Sequence, residues 1–363
     1  MTDDLTCRIY TGRKQVAAAA PMVEAMRRAY GLDADMTTDM GWFVSRTVLW
    51  GNSPIVVLID RGTRPVAAVL LYERRFCGVP TGVIKGGNGA GDGVVVAPPP
   101  LRTAALQVAL AKALSLPFTH TVLVAVRGLD AQAPAVPPQA ELDAQWRARE
   151  VETHLSLAGG FEGFMSRLRT RSRRNYRYFR RRAESELGVV FVSSLTNAEA
   201  CQAVKELHGV SMHPVPRARA IRFQAAIQET PDSFAMGVRD PSGRWLSYIA
   251  GWRRADATFV EWQLNHHEFA AASLSTVMRT YFLEHEALAG VREVIFVGGT
   301  SAALARYCKR DRCFDIVAIR PGFRGFVIKK LVTRLRPHSQ LALQMRGDLL
   351  QSQVPSSKVE EFA

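Results

Sequence analysis

Apolar and polar positions along the chain switch repeatedly between two periods, and the switches delimit the elements. Over residues 13–31 the residues Val16, Ala20, Val23, Met26, Arg27 and Tyr30 recur near helical spacing, which predicts a helix. A second helix is expected over 38–50, where Asp39 can cap a run containing Trp42, Phe43, Val44, Val48 and Leu49. IVVLID (55–60), the turn RGTR and PVAAVLLYE (65–73) then read as strand, tight turn and strand. GGNGAGDG (86–93) is a glycine-rich loop, LRTAALQVALAKAL (101–114) a helix after three prolines, and TVLVAV (121–126) a buried strand.

The second half repeats this order. VETHLSL (151–157) alternates as a strand, and FEGFMSRLRTRSRRNYRYFRRRAESEL (161–187) reads as one long helix with an apolar stripe from Phe161 to Leu187. A helix near 197–209 precedes SFAMGVRDPSGRWLSYIAGWR, a second strand–turn–strand. Asp60 and Asp240 each close a first strand and Arg64 and Arg244 each open a second, both pairs 180 residues apart. Helix 101–114 matches 274–289 and strand 121–126 matches EVIFV (293–297), about 172 apart. The constant order points to an internal duplication of an α/β unit. ATFVEWQLN (257–265) reads as a strand, so Phe259, Glu261, Gln263 and Asn265 are expected on one face and Thr258, Val260, Trp262 and Leu264 on the other. GGTSAALARYCKR reads as a turn and a helix, and DIVAIR (315–320) as a strand.

The expected organisation is a first unit over 1–127, a linker over 128–150 rich in Ala, Pro and polar residues, a second unit over 151–325, and a tail over 326–363. FRGFVIKKLVTRLRP (323–337) is basic and amphipathic, and the last dozen residues look disordered.

Charge changes the picture at one place. RLRTRSRRNYRYFRRR (167–182) holds nine arginines and no acid, and removing them from the formal net charge of +14 leaves only +5 on the other residues. A local concentration of guanidinium forks suits phosphate or carboxylate. Arg171, Arg174 and Tyr176 are candidates, and basic residues interleaved with aromatics also suit RNA. The five cysteines are scattered, and neither they nor the histidines His208, His213, His266 and His267 make a metal-ligand spacing, so no metal is expected. The acidic start MTDDLTCRIY does not read as a signal peptide, and the longest apolar stretch is interrupted by Lys112. These features point to a cytoplasmic protein with reduced thiols, with a peripheral contact to an anionic membrane left open.

The order strand, Arg-rich helix, strand–turn–strand and VIFVGGTSAALARYCKR resembles the FemAB-like, CelD-like branch of the GNAT acyltransferases. The resemblance covers roughly 150–325 well and 10–127 more loosely. It implies an α/β (α+β) fold of two tandem GNAT-like units with mixed, mostly antiparallel sheets flanked by helices. It also implies acyl transfer to an amine. Its R-x-x-x-R-R-x-x-R helix motif falls on Arg169, Arg173, Arg174 and Arg177, and its glycine turn followed by lysine on Gly299 and Lys309, with Tyr307 just before. An ordinary GNAT has a glycine loop whose backbone holds the coenzyme A pyrophosphate. Here that place reads His266-His267-Glu268-Phe269-Ala270-Ala271-Ala272-Ser273, with no glycine, so that Ala271, Ala272 and Ser273 are the positions left to meet a phosphate.

The resemblance therefore implies acyl-CoA as co-substrate and a small-molecule amine as acceptor, such as an amino sugar or a polysaccharide or cell-wall precursor. Aminoacyl-tRNA, the donor of FemAB relatives, stays open as the alternative. So does a non-catalytic basic module that holds RNA or an anionic membrane. Acyl transfer needs a base for the amine proton, and Glu261, with Gln263 and Asn265 beside it, is the expected base. Tyr307 is the expected acid for the leaving thiolate and Lys309 the expected electrostatic stabiliser.

Overall fold

The computed structural model describes residues 5–33, 35–87, 93–129, 143–212, 214–297 and 299–320. Most of the glycine-rich loop, residues 130–142 of the expected linker, His213 and the basic tail lie outside the described residues.

The first half runs β1 (Leu5–Thr11), α1 (Gly12–Ala29), α2 (Met40–Leu49), β2 (Ser53–Arg61), β3 (Arg64–Phe76), β4 (Val79–Gly86), β5 (Val95–Val96), α3 (Arg102–Leu114) and β6 (Thr121–Arg127). Asp39 caps α2 as expected, its Oδ1 accepting from the Trp42 N–H at 2.9 Å. The second half runs β7 (Asp143–Ser156), α4 (Gly160–Arg167), α5 (Thr170–Glu186), β8 (Val190–Val192), α6 (Asn197–Leu207), α7 (Arg217–Gln228), β9 (Ser233–Arg239), β10 (Trp245–Arg254), β11 (Ala257–Asn265), α8 (Leu274–Leu288), β12 (Glu293–Phe296), α9 (Ala302–Ala305) and β13 (Lys309–Ile319). Thr196 and Glu199 form a reciprocal capping box at the start of α6.

All the strands belong to one mixed, mostly antiparallel sheet in the order β1-β2-β3-β4-β6-β13-β7-β12-β11-β10-β9-β8, with β5 on β3. The repeat is visible in the pairing. The hairpin β2–β3 leads through β4 and α3 to β6, which pairs parallel with β4. The hairpin β9–β10 leads through β11 and α8 to β12, which pairs parallel with β11. The last described strand departs from the repeat. β13 runs back between β6 and β7, antiparallel to both, and so joins the halves into one sheet.

Helices cover both faces. In the first half α3 packs on one face and α1 and α2 on the other. In the second half α4, α5 and α8 cover one face, and α6 and α7 the other. Met36 and Trp42 of the first half pack on Trp252 and Phe259 of the second. The expected single helix over 161–187 is two. Leu168 and Arg169 are extended, the Arg169 N–H donates to the Tyr307 hydroxyl at 3.2 Å, and Arg173 Nη2 caps α4 by donating to the carbonyls of Ser166 and Leu168.

Candidate active site

The alternation along β11 slips once. Trp262 lies opposite Ala250 and Val260 opposite Gly251, so Glu261 is the extra residue of a bulge. Glu261 and Trp262 therefore project to one side, and Val260 and Gln263 to the other. This corrects the expected common face. Gln263 meets α8, where its Nε2 donates to the Ser275 carbonyl at 3.2 Å. Glu261 meets α2 of the first half, where Arg46 Nη2 approaches its Oε1 at 2.5 Å. The Glu261 side chain is buried and its Oε2 has no hydrogen-bond partner among the described residues.

Beside the bulge the sheet parts. β11 and β12 pair from Ala257↔Glu293 to Val260↔Phe296, and the Val297 N–H closes the run by donating to the Val260 carbonyl at 3.0 Å. Beyond that point β11 continues to Asn265 while β12 has ended. The next main-chain contact on this edge is the Met212 N–H to the Asn265 carbonyl at 3.3 Å. Among the described residues no strand neighbours 261–264 on that side, which leaves a gap there. The antiparallel alternation with β10 turns the main-chain groups of Gln263 toward the gap.

Arg279 of α8 reaches this region. Its Nε donates to Gln263 Oε1 at 3.1 Å and its Nη1 to Ser301 Oγ at 2.8 Å, so one guanidinium spans from β11 to the start of α9. No carboxylate pairs with Arg279 among the described residues, and burial draws its pKa below the ordinary value. Tyr176 of α5 lies close by, half-buried against Phe164, and burial pushes its hydroxyl up to about 12. Tyr307 accepts from the Arg169 N–H and donates to Ser172 Oγ at 3.0 Å. Gln263 and Tyr176 thus meet a residue that sequence reasoning missed, and Tyr307 lies beyond Tyr176. An arginine inside an amphipathic helix reads as surface, and only the tertiary packing of α8 turns it inward.

The other expected positions scatter. Lys309 opens β13 instead of ending a helix, is exposed, and pairs with Asp311 at 3.0 Å. Glu261, Tyr307 and Lys309 share no partner, and Glu261 projects from the face of β11 opposite to Gln263. Arg169, Arg171, Arg174 and Arg177 are exposed along α5, while Arg173 is half-buried. The arginine run is less naked than its sequence suggests: Arg180 pairs with Glu184 and Glu284, and Arg182 with Glu186. Gly299 follows β12 with φ +93° and open space around it.

Ala271 and Ala272 end a short 3-10 segment, and Ser273 adopts a left-handed φ of 52° as it caps α8. That conformation is one glycine takes without strain. His266, just upstream, is buried against Arg244, and burial followed by the Arg244 charge lowers its pKa. The unfolded histidine titrates near 6.5, roughly the unperturbed value. His266 therefore contributes full stability above that pH and loses it as pH falls toward the lower folded value. Thermal unfolding between pH 8 and 5 is expected to show a midpoint that falls on acidification, with a shallower fall in His266→Gln. Equal slopes would refute the assignment.

On the opposite face a cleft of about 340 Å³ opens between the halves, lined by Asp35, Arg102, Arg127, His154, Asp256 and Glu293 among others. His154 Nδ1 contacts Glu293 Oε1 at 3.2 Å, which holds the Glu293 carboxyl below its usual range.

No family model matches the chain, and no curated protein matches it significantly. Solved structures do match its fold. FemX is 10% identical, with 82% of this chain and 95% of that chain covered and a TM-score of 0.56. A tandem GNAT protein from the clavulanic acid biosynthesis pathway is 14% identical, with 88% and 100% covered and a TM-score of 0.51. L-PGS from Bacillus licheniformis is 12% identical, with 88% and 97% covered and a TM-score of 0.51. The fold is GNAT-like and FemAB-like. Among the described residues no helix is long and apolar enough to cross a membrane.

Proposed function

We propose that this protein is an N-acyltransferase that moves an acyl group from acyl-CoA to an amine, with the second half, residues 151–325, as the catalytic unit. The observation that carries this reading is the gap beside β11, between Val260 and Asn265. A strand edge left open inside a sheet can pair with an extended ligand through main-chain hydrogen bonds. The amide-bearing arm of coenzyme A is such a ligand. Ala271, Ala272 and Ser273 then meet its phosphates at the start of α8. Glu261 acts as base through Oε2, which is buried and which Arg46 leaves free, once substrate entry uncovers it. Tyr307 returns a proton to the thiolate, and Lys309, once released from Asp311, stabilises charge. Arg169, Arg171, Arg173, Arg174, Tyr176, Arg177, Gln263 and Gly299 hold the substrates. The acceptor class is an amino sugar, a polysaccharide or a cell-wall precursor.

A second reading has aminoacyl-tRNA as donor. The exposed arginines of α5 favour it, as does the strained Ser273 where a glycine would let backbone approach a pyrophosphate.

The test is thermal unfolding with a panel of acyl-CoA thioesters. A thioester at a hundred times its dissociation constant adds about 2.7 kcal/mol, an easily visible shift. One responsive acyl chain would support the thioester donor. No shift in ligand-free protein, together with copurifying tRNA, would replace it with the charged-tRNA donor.

A further inference from the structure

The gap holds an imbalance of hydrogen-bonding groups. Arg279 uses Nε on Gln263 and Nη1 on Ser301, and its Nη2 has no partner among the described residues. The Tyr176 hydroxyl also has none, although Phe164, Arg279 and Tyr307 surround the ring. One turn earlier on α5, the buried Nε of Arg173 is likewise unpartnered. These are three donors in one neighbourhood, two of them cationic. No carboxylate pairs with Arg173 or Arg279 among the described residues.

Most arginines of comparable burial in this protein are paired with acids. Arg27 lies against Glu24 and Asp39, Arg253 grips Glu286 with two bonds, and Arg149 meets Asp315. A guanidinium taken out of water without an acid is costly. The cost falls when an anion arrives, because each open N–H then makes a charge-assisted hydrogen bond. Neither open group is sealed: Arg279 and Tyr176 are both half-buried, so a ligand can reach them.

We infer that Arg279 and Tyr176 together form an anion site that binds a carboxylate or phosphate group of the substrate at the gap beside β11. Arg279 offers its free Nη2 edge and Tyr176 its hydroxyl proton. The phenol stays protonated at neutral pH because burial keeps its pKa high. The two hydrogen bonds from Arg279 to Gln263 and Ser301 fix the guanidinium plane, so the site is set before the ligand binds. Naming the anion as part of a substrate rests on the transferase reading. The anion site itself is read without any acyl donor, so the two can fail separately.

The experiment is a titration of the full-length protein with inorganic phosphate and, separately, with acetate, at ionic strength held constant with chloride. Thermal midpoint and calorimetric heat are the readouts. One of the two anions is expected to bind more tightly than chloride. Arg279→Gln is expected to weaken that binding by about tenfold or more and Tyr176→Phe by a smaller factor, with Arg279→Lys between them. Arg181→Gln, at an exposed position of α5 outside the proposed substrate contacts, is expected to leave it unchanged. A preference for phosphate identifies a phosphorylated substrate, and one for acetate a carboxylate. The inference is overturned if Arg171→Gln/Arg174→Gln removes the binding while Arg279→Gln keeps it, or if chloride competes equally well. Should Arg279→Gln fail to fold, Arg279→Lys and Tyr176→Phe decide, and wild-type binding by both would overturn it.

Discussion

Replacing Arg46 by Met is expected to destabilise the protein by about 3–5 kcal/mol, the usual cost of removing one partner from a buried ion pair. The Glu261 side chain is 3% exposed, and Arg46 is the one cation that reaches it among the described residues. Its second oxygen already lacks a hydrogen bond. Without Arg46 a carboxylate would remain in an apolar setting with nothing to offset its desolvation. Arg46 also lies over Trp42 at 4.8 Å and Phe223 at 5.7 Å, so its loss removes packing between α2 and α7. Urea unfolding would show a lower midpoint at constant slope. The double variant Arg46→Met/Glu261→Met is expected to recover much of the loss, since it buries no charge. A cost below about 1 kcal/mol for Arg46→Met would mean that water reaches Glu261 freely.

Much of this fold was legible wherever local chemistry decides local structure. Apolar runs on either side of turn residues marked the hairpins β2–β3 and β9–β10. Asp39 announced the start of α2, and the run 101–114 announced α3. The 180-residue offset between Asp60 and Asp240 reflected a real repetition of hairpin, strand, helix and parallel strand. The rest depended on contacts between residues far apart in sequence. The break after α4 is held by Tyr307, 138 residues away from Arg169. The return of β13 between β6 and β7 is a choice of partner, which no periodicity records. α7 was missed because RARAIRFQAAIQ has too weak an apolar stripe to stand out. Of the expected positions, Gln263 bonds to Arg279 and Tyr176 lies near it. Arg279 was not foreseen, and Glu261 was placed on the wrong face because one inserted residue leaves the pattern of VEWQLN looking regular.

That inserted residue supplies the second large effect. Gly251→Ala is expected to cost about 3 kcal/mol or more, at the upper end of overpacking penalties, because the obstacle is backbone. A Cβ at Gly251 would lie 1.8 Å from the Phe259 carbonyl oxygen and 3.1 Å from Phe234 Cε1. Gly251 stands at the register shift itself, opposite Val260 and next to the Ala250–Trp262 pair. β11 can relieve the clash only by moving off β10, which undoes the bulge and returns Glu261 and Gln263 toward a common face. The substitution therefore acts on stability and site together. Two measurements separate it from a simple core defect. Urea unfolding reports the loss of stability. A double-mutant cycle between Arg46 and Glu261, run in the Gly251→Ala background, reports whether Glu261 still faces α2. The coupling is expected to fall toward zero there while staying large in the parent. A Gly251→Ala protein within 1 kcal/mol of the parent, with the coupling intact, would show that the bulge tolerates a side chain and that glycine does not hold Glu261 in place.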